Sequence, residues 1–100
     1  MIVKFTENEI TDMQTALEKW GLEAQCDQCV EECAELIAVL QKYIKRSPKT
    51  ATIEDVVDEI ADVEMMLAQM RLALGIDDQT LRKQIELKFE VMRQYMDSQG

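Results

Sequence analysis

Two acidic clusters, Glu31-Glu32-Cys33-Ala34-Glu35 and Asp58-Glu59-Ile60-Ala61-Asp62, hold the residues of this chain whose type and spacing could do chemistry. Each sets two carboxylates three residues apart, Glu32 with Glu35 and Glu59 with Asp62, and side chains at i and i+3 leave a helix on one face. Two such helices packed side by side would aim four hard oxygen donors at one point. That is the ligand type magnesium favours, with manganese as a substitute. The likeness of the clusters extends beyond their acids. At an offset of 27 residues, Glu31 falls on Asp58, Glu32 on Glu59, Ala34 on Ala61, Glu35 on Asp62, Leu36 on Val63 and Leu40 on Leu67. The repeated alanine lets two helix backbones approach while longer neighbours reach a shared point.

The plain alternative is a solvated acidic face, since the chain has 20 acidic side chains against 11 basic ones and a formal charge of −9. Helical phase speaks against it. At about 100° per residue, Glu32 and Glu35 flank Val39, with Tyr43 following, while Glu59 and Asp62 flank Met66, with Met70 following. The acids thus share faces with apolar residues that need burial, and gathered carboxylates left uncompensated are costly. The clusters contain no lysine or arginine, so a metal ion is the simplest compensation; protonation and pairing with Lys88 are the alternatives.

Histidine is absent. This removes Ser-His and Cys-His nucleophiles, His-bound zinc and the Glu-x-x-His di-iron motif. No glycine-rich phosphate loop is present either. Cys26, Cys29 and Cys33 are odd in number and at helical spacing, which fits buried thiols in a reducing compartment better than disulfides. As zinc or iron–sulfur ligands they lack a fourth partner.

The elements that must position the acids read as four helices. The first spans about Glu7 to Trp20, with Thr6 as N-cap and Glu9 completing a capping box, and with Ile10, Met13, Leu17 and Trp20 on its apolar stripe. Gly21 interrupts it. The second spans about Leu22 to Lys45, with Cys26, Cys29, Val30, Cys33, Ile37, Leu40 and Ile44 as its core stripe and Lys45-Arg46-Ser47-Pro48 as its end. Thr52 caps the third, which runs to about Leu74 and stops at Gly75. The fourth spans about Gln79 to Met96, with Leu81, Ile85, Phe89, Met92 and Met96 inward and a frayed tail over Asp97-Ser98-Gln99-Gly100. A short extension at Ile2-Val3-Lys4-Phe5 is the one candidate for a strand. The expectation is a single all-α domain over residues 1–100, a four-helix bundle.

A chain of 100 residues buries only a modest core alone, and its second and third helices carry wide apolar surfaces. A homodimer, or a homotetramer built as a dimer of dimers, is expected. The acidic charge disfavours nucleic acid and anionic membranes as partners. No apolar run of membrane-spanning length and no signal-peptide layout is seen, so the expected location is cytoplasmic.

The ordered pair of motifs, Glu-Glu-x-x-Glu at 31–35 and Glu-x-x-Asp at 59–62 with a short basic connection, resembles the MazG-like all-α nucleoside triphosphate pyrophosphohydrolases. The resemblance covers most of the chain, with Gln14 and Trp20 similar to the first-helix Gln and aromatic positions and Leu74-Gly75-Ile76-Asp77 similar to the start of the last helix. It implies a magnesium-dependent enzyme that hydrolyses a ribo- or deoxyribonucleoside triphosphate to the monophosphate and pyrophosphate, as in clearance of cellular nucleotides. Glu32, Glu35, Glu59 and Asp62 would hold the metal, with Glu31 nearby at the catalytic site as an auxiliary ligand or an acceptor behind the ligands. Lys88 and Arg93 would meet phosphate oxygens, while Trp20 and Gln14 would lie at the substrate. Met92 stands where the pattern often has Asn, which removes one polar contact. From the residues alone, Trp20 closes an apolar stripe and reads as core, Gln14 as surface, and Lys42, Lys45 and Arg46 as helix C-terminal charges. The competing classes are a helical interaction module and a nucleotide-binding homologue without turnover.

Overall fold

The computed structural model describes residues 4–46 and 48–99. Ile2, Val3, Ser47 and Gly100, which figured in the expected extension, helix end and tail, lie outside the described residues. Three helices follow in order, α1 over Glu7–Tyr43, α2 over Ile53–Ala73 and α3 over Asp78–Gln99, with no strand among the described residues. No helix is long and apolar enough to cross a membrane among them.

Each start is written in side chains. Thr6 Oγ1 accepts from the Glu9 amide at 3.1 Å while Glu9 Oε1 accepts from the Thr6 amide at 2.8 Å, the expected capping box. Thr52 and Asp55 build a second one at the head of α2, with bonds of 3.2 and 2.9 Å. These bonds hold the Asp55 carboxyl below its ordinary range. Asp77 Oδ1 accepts from the Thr80 amide at 2.7 Å and starts α3 in the same way. The ends match too. The Lys45 and Gly75 backbones turn left-handed, with φ of 63° and 67°. Behind them Arg46 N–H donates to Gln41 and Ile76 N–H to Arg71, the wide-turn bonds of a Schellman end.

The expected break at Gly21 is present, as a kink at which two helical stretches meet within the single element α1. Gly21 has φ 86° and ψ 166°, a region open essentially to glycine alone. A straight helix of this length would measure about 55 Å, beyond the molecule's longest extent of 47 Å. A Cβ at Gly21 would meet nothing within 4 Å, so the position is constrained by torsion and not by space. Gly21→Ala is expected to lower unfolding stability by about 1–3 kcal/mol, read by urea titration with helicity followed at 222 nm.

The two halves of the core are the C-terminal part of α1 and all of α2, which run antiparallel. Gln25 meets Gln69, Cys26 meets Met70, and Glu35 meets Glu59 as the chain climbs one helix and descends the other. Val39, Val56, Met66 and Ala68 are buried in this seam, Met66 most deeply at 3% exposure, and Met13 is buried as well. The burial of Val39 and Met66 bears out the helical phase of the acids.

Two expected stripes are corrected. On α1, Val30 is 70% exposed and Ile37, Leu40 and Ile44 also face solvent, while Gln25, Glu32 and Val39, seven residues apart, form the seam. The helix is apolar on more than one side, so apolar content alone does not say which side meets α2. On α3, Leu81 and Ile85 are half-buried while Phe89, Met92 and Met96 are exposed, because α3 packs against neither α1 nor α2. The helix also continues through the expected frayed tail to Gln99. The three cysteines are free thiols, half-buried where full burial was expected.

Candidate metal centre

Glu32 and Glu35 enter the seam from α1, Glu59 and Asp62 from α2, and each offers a carboxylate oxygen within 4.8 Å of all the others. Three of the four are half-buried and Glu35 is exposed. The i, i+3 spacing works on both helices at once because the antiparallel register sets Glu32 level with Asp62 and Glu35 level with Glu59. Glu31 is exposed on the neighbouring face of α1, close enough for its charge to act on Glu35.

Two oxygens of the cluster, Glu32 Oε2 and Glu59 Oε2, are sealed from solvent without a hydrogen-bond partner. Buried acceptors left unpaired cost free energy, and a cation held between them would satisfy both. Opposed ligands of octahedral magnesium stand roughly 4.2 Å apart. Four carboxylate oxygens within 4.8 Å of one another are a donor set of the hard kind that would hold magnesium or manganese. Lys88 and Arg93 lie on α3, which packs against neither helix that carries the cluster.

The electrostatics carry the mark of crowding. Glu32 is raised above the usual carboxylate range by burial first, with the charges of Glu35 and Asp62 adding to this. Gln28 opposes the shift, Nε2 donating to Glu32 Oε1 at 2.7 Å. Glu35 is raised by burial and then by Glu59, Glu31 and Asp62. The sign of the linkage follows. An acid whose folded pKa lies above its unfolded value destabilises the fold when ionised and ceases to do so as pH falls through the raised range. Asp55 and Asp77, held low by their caps, act oppositely and lose their contribution only below about pH 3.9. Metal-free protein is thus expected to gain Tm as pH falls from neutrality into the raised carboxylate range and to lose it under stronger acid. Manganese affinity, followed by paramagnetic resonance, should weaken across the first interval as protons compete for Glu32 and Glu35.

The cluster separates two hollows. One, of about 450 Å³, is lined by Trp20, Gln25, Gln28, Met66 and Gln69, with Glu32 and Asp62 at its edge. The other, of about 360 Å³, lies toward the α1–α2 loop and includes Lys42, Asp55, Glu35 and Glu59. Trp20 is 59% exposed at the first hollow, which corrects its reading as core: the Gly21 kink takes it out of phase with the seam. Gln14 is exposed and lines neither hollow. Lys42 stands in the last turn of α1, as expected of a helix-end charge, and also lines the second hollow, whereas Lys45 and Arg46 are exposed in the loop. The sequence reading missed Gln25, Gln28 and Gln69. The available signal was their phase: Gln25 stands seven residues before Glu32 and Gln69 seven after Asp62, on the same helix lines.

No family model, curated protein or solved structure matches the chain.

Proposed function

We propose that the protein is a magnesium-dependent nucleoside triphosphate pyrophosphohydrolase of the kind its two acidic motifs resemble. The observation that carries this reading is the convergence of Glu32, Glu35, Glu59 and Asp62 within 4.8 Å, with two sealed oxygens unpartnered. A bound divalent ion would neutralise triphosphate oxygens and lower the pKa of a water. The chain's own residues do the rest. The raised Glu35, exposed at the edge of the cluster, suits a base that takes a proton from the attacking water, while Gln28 holds Glu32 in place. Water oxygen bonds to the α-phosphorus, the bond from that phosphorus to the bridging oxygen breaks, and pyrophosphate leaves. Lys42 meets the phosphate chain from the second hollow.

A second copy of the chain covers the apolar residues that α3 and the outer faces of α1 and α2 leave open, among them Val30, Ile37, Val57, Leu67, Phe89 and Met96. Lys88 and Arg93 would then be delivered to the phosphates by α3 of that copy. Sedimentation at micromolar concentration is expected to give a dimer or tetramer; a stable monomer would contradict the assembly. The activity is tested by pyrophosphate release from a panel of ribo- and deoxyribonucleoside triphosphates, with magnesium and with chelator. Magnesium-dependent release is expected, and silence across the panel would favour a binding module.

A further inference from the structure

Gln25 and Gln69 are 6% and 7% exposed, as deeply placed as the apolar core, and Gln69 Nε2 donates to Gln25 Oε1 at 2.7 Å. Glutamine is mostly an exposed residue, so a buried pair spanning two helices needs a reason. Both side chains line the larger hollow with Trp20 and Met66, and they stand two helical turns from the carboxylates, about 10 Å along the axis. Each amide has two N–H donors and a carbonyl acceptor. Their mutual bond leaves the Gln25 amino group and the Gln69 carbonyl, neither of which is a sealed orphan like Glu32 Oε2.

We propose that this hollow receives the nucleobase, with Trp20 against its face and the Gln25–Gln69 pair reading its polar edge in either sense; the proposal rests on the pyrophosphohydrolase reading. The chemistry lies in the symmetry of the pair. Turning both amides over keeps the bond between them but exchanges what they offer: Gln25 then presents a carbonyl and Gln69 an amino group. Adenine and cytosine carry an amino donor beside a ring acceptor, whereas guanine and uracil carry a carbonyl beside a ring N–H. One pair of glutamines can match both patterns, so the substrate class is nucleoside triphosphates of both amino and keto bases. An aromatic wall and apolar methionines with a few convergent polar groups suit a planar heterocycle. The spacing places its sugar toward Glu32 and Asp62 and its phosphates over the cluster.

Trp20 is the single tryptophan, so its fluorescence reports the hollow directly. ATP, GTP, CTP and UTP are titrated with magnesium by stopped flow, before turnover, against wild type, Gln69→Met, Gln25→Met and Gln69→Glu. Manganese binding and circular dichroism identify any variant that has lost its fold. Wild type is expected to be quenched by all four, with Kd values within about threefold of one another. Either methionine variant should weaken all four about tenfold, the worth of one neutral hydrogen bond. Gln69→Glu, whose carboxylate only accepts, removes the donor that a keto base needs from position 69 and should weaken GTP and UTP relative to ATP and CTP by about tenfold. Unchanged Kd values in folded variants, a wild-type preference for one base above tenfold, or no quenching in a wild type that releases pyrophosphate would each overturn the proposal while leaving hydrolysis intact. Absence of pyrophosphate release from every triphosphate would overturn the underlying reading separately.

Discussion

Glu59→Gln is expected to lower magnesium-dependent pyrophosphate release by about a thousandfold or more, the scale of losing a group that holds transition-state charge, while far-ultraviolet dichroism stays unchanged. Glutamine keeps the shape of the side chain, so packing around Met66 is preserved. What changes is the donor set. Glu59 Oε2 is sealed from water with no partner, and an amide in its place offers either a neutral oxygen or an N–H group to the proposed cation site. Glu35→Gln should produce a comparable loss, because it removes both a proposed ligand and the solvent-facing candidate for the base. Near-normal turnover in both variants would remove this cluster from the reaction.

The same substitutions are expected to act in the opposite direction on stability. Without divalent ions, Glu35→Gln should raise Tm slightly, since the wild-type carboxylate is partly desolvated and faces the charges of Glu59, Glu31 and Asp62. A bound ion reverses the order. A ligand at one hundred times its Kd stabilises the native state by about 2.7 kcal/mol, which for a domain of this size corresponds to roughly 10 °C or more. Wild type should therefore gain Tm strongly on adding manganese or magnesium, and Glu35→Gln should gain little. Differential scanning calorimetry with chelator and with each ion reads both effects. A variant less stable than wild type in chelator, with an undiminished response to metal, would show Glu35 to be an ordinary surface acid.

The parts of the molecule legible in the sequence are those determined by local chemistry. Thr6 with Glu9 and the Thr52 cap, where Asp55 completes a second box, set helix starts through short-range hydrogen bonds, and Gly75 turns the chain because its left-handed φ suits glycine. The convergence of Glu32, Glu35, Glu59 and Asp62 was legible as well, because two i, i+3 pairs on antiparallel helices have few other ways to share a seam with Val39 and Met66. The packing seam itself was less visible. Val30, Ile37 and Leu40 extend a convincing core stripe from Cys26, yet the face that meets α2 carries Gln25 and Glu32 beside Cys26. A polar site in the seam displaces apolar residues outward, where a second copy, as proposed above, would cover them. Lys45 ends α1 in a left-handed turn that glycine usually supplies, so no residue type announced it. Trp20 escaped because the kink at Gly21 breaks the periodicity on which its burial was inferred, and Gln69 because a lone glutamine on a helix looks like surface.

The most direct test of the central claim is to follow a nucleoside triphosphate by phosphorus magnetic resonance in ¹⁸O-water, with wild-type protein in magnesium and in chelator. Monophosphate and pyrophosphate are expected in equal amounts, only with magnesium, with the isotope on the monophosphate as attack at the α-phosphorus requires. An unchanged triphosphate, or release of diphosphate and orthophosphate, would contradict the claim.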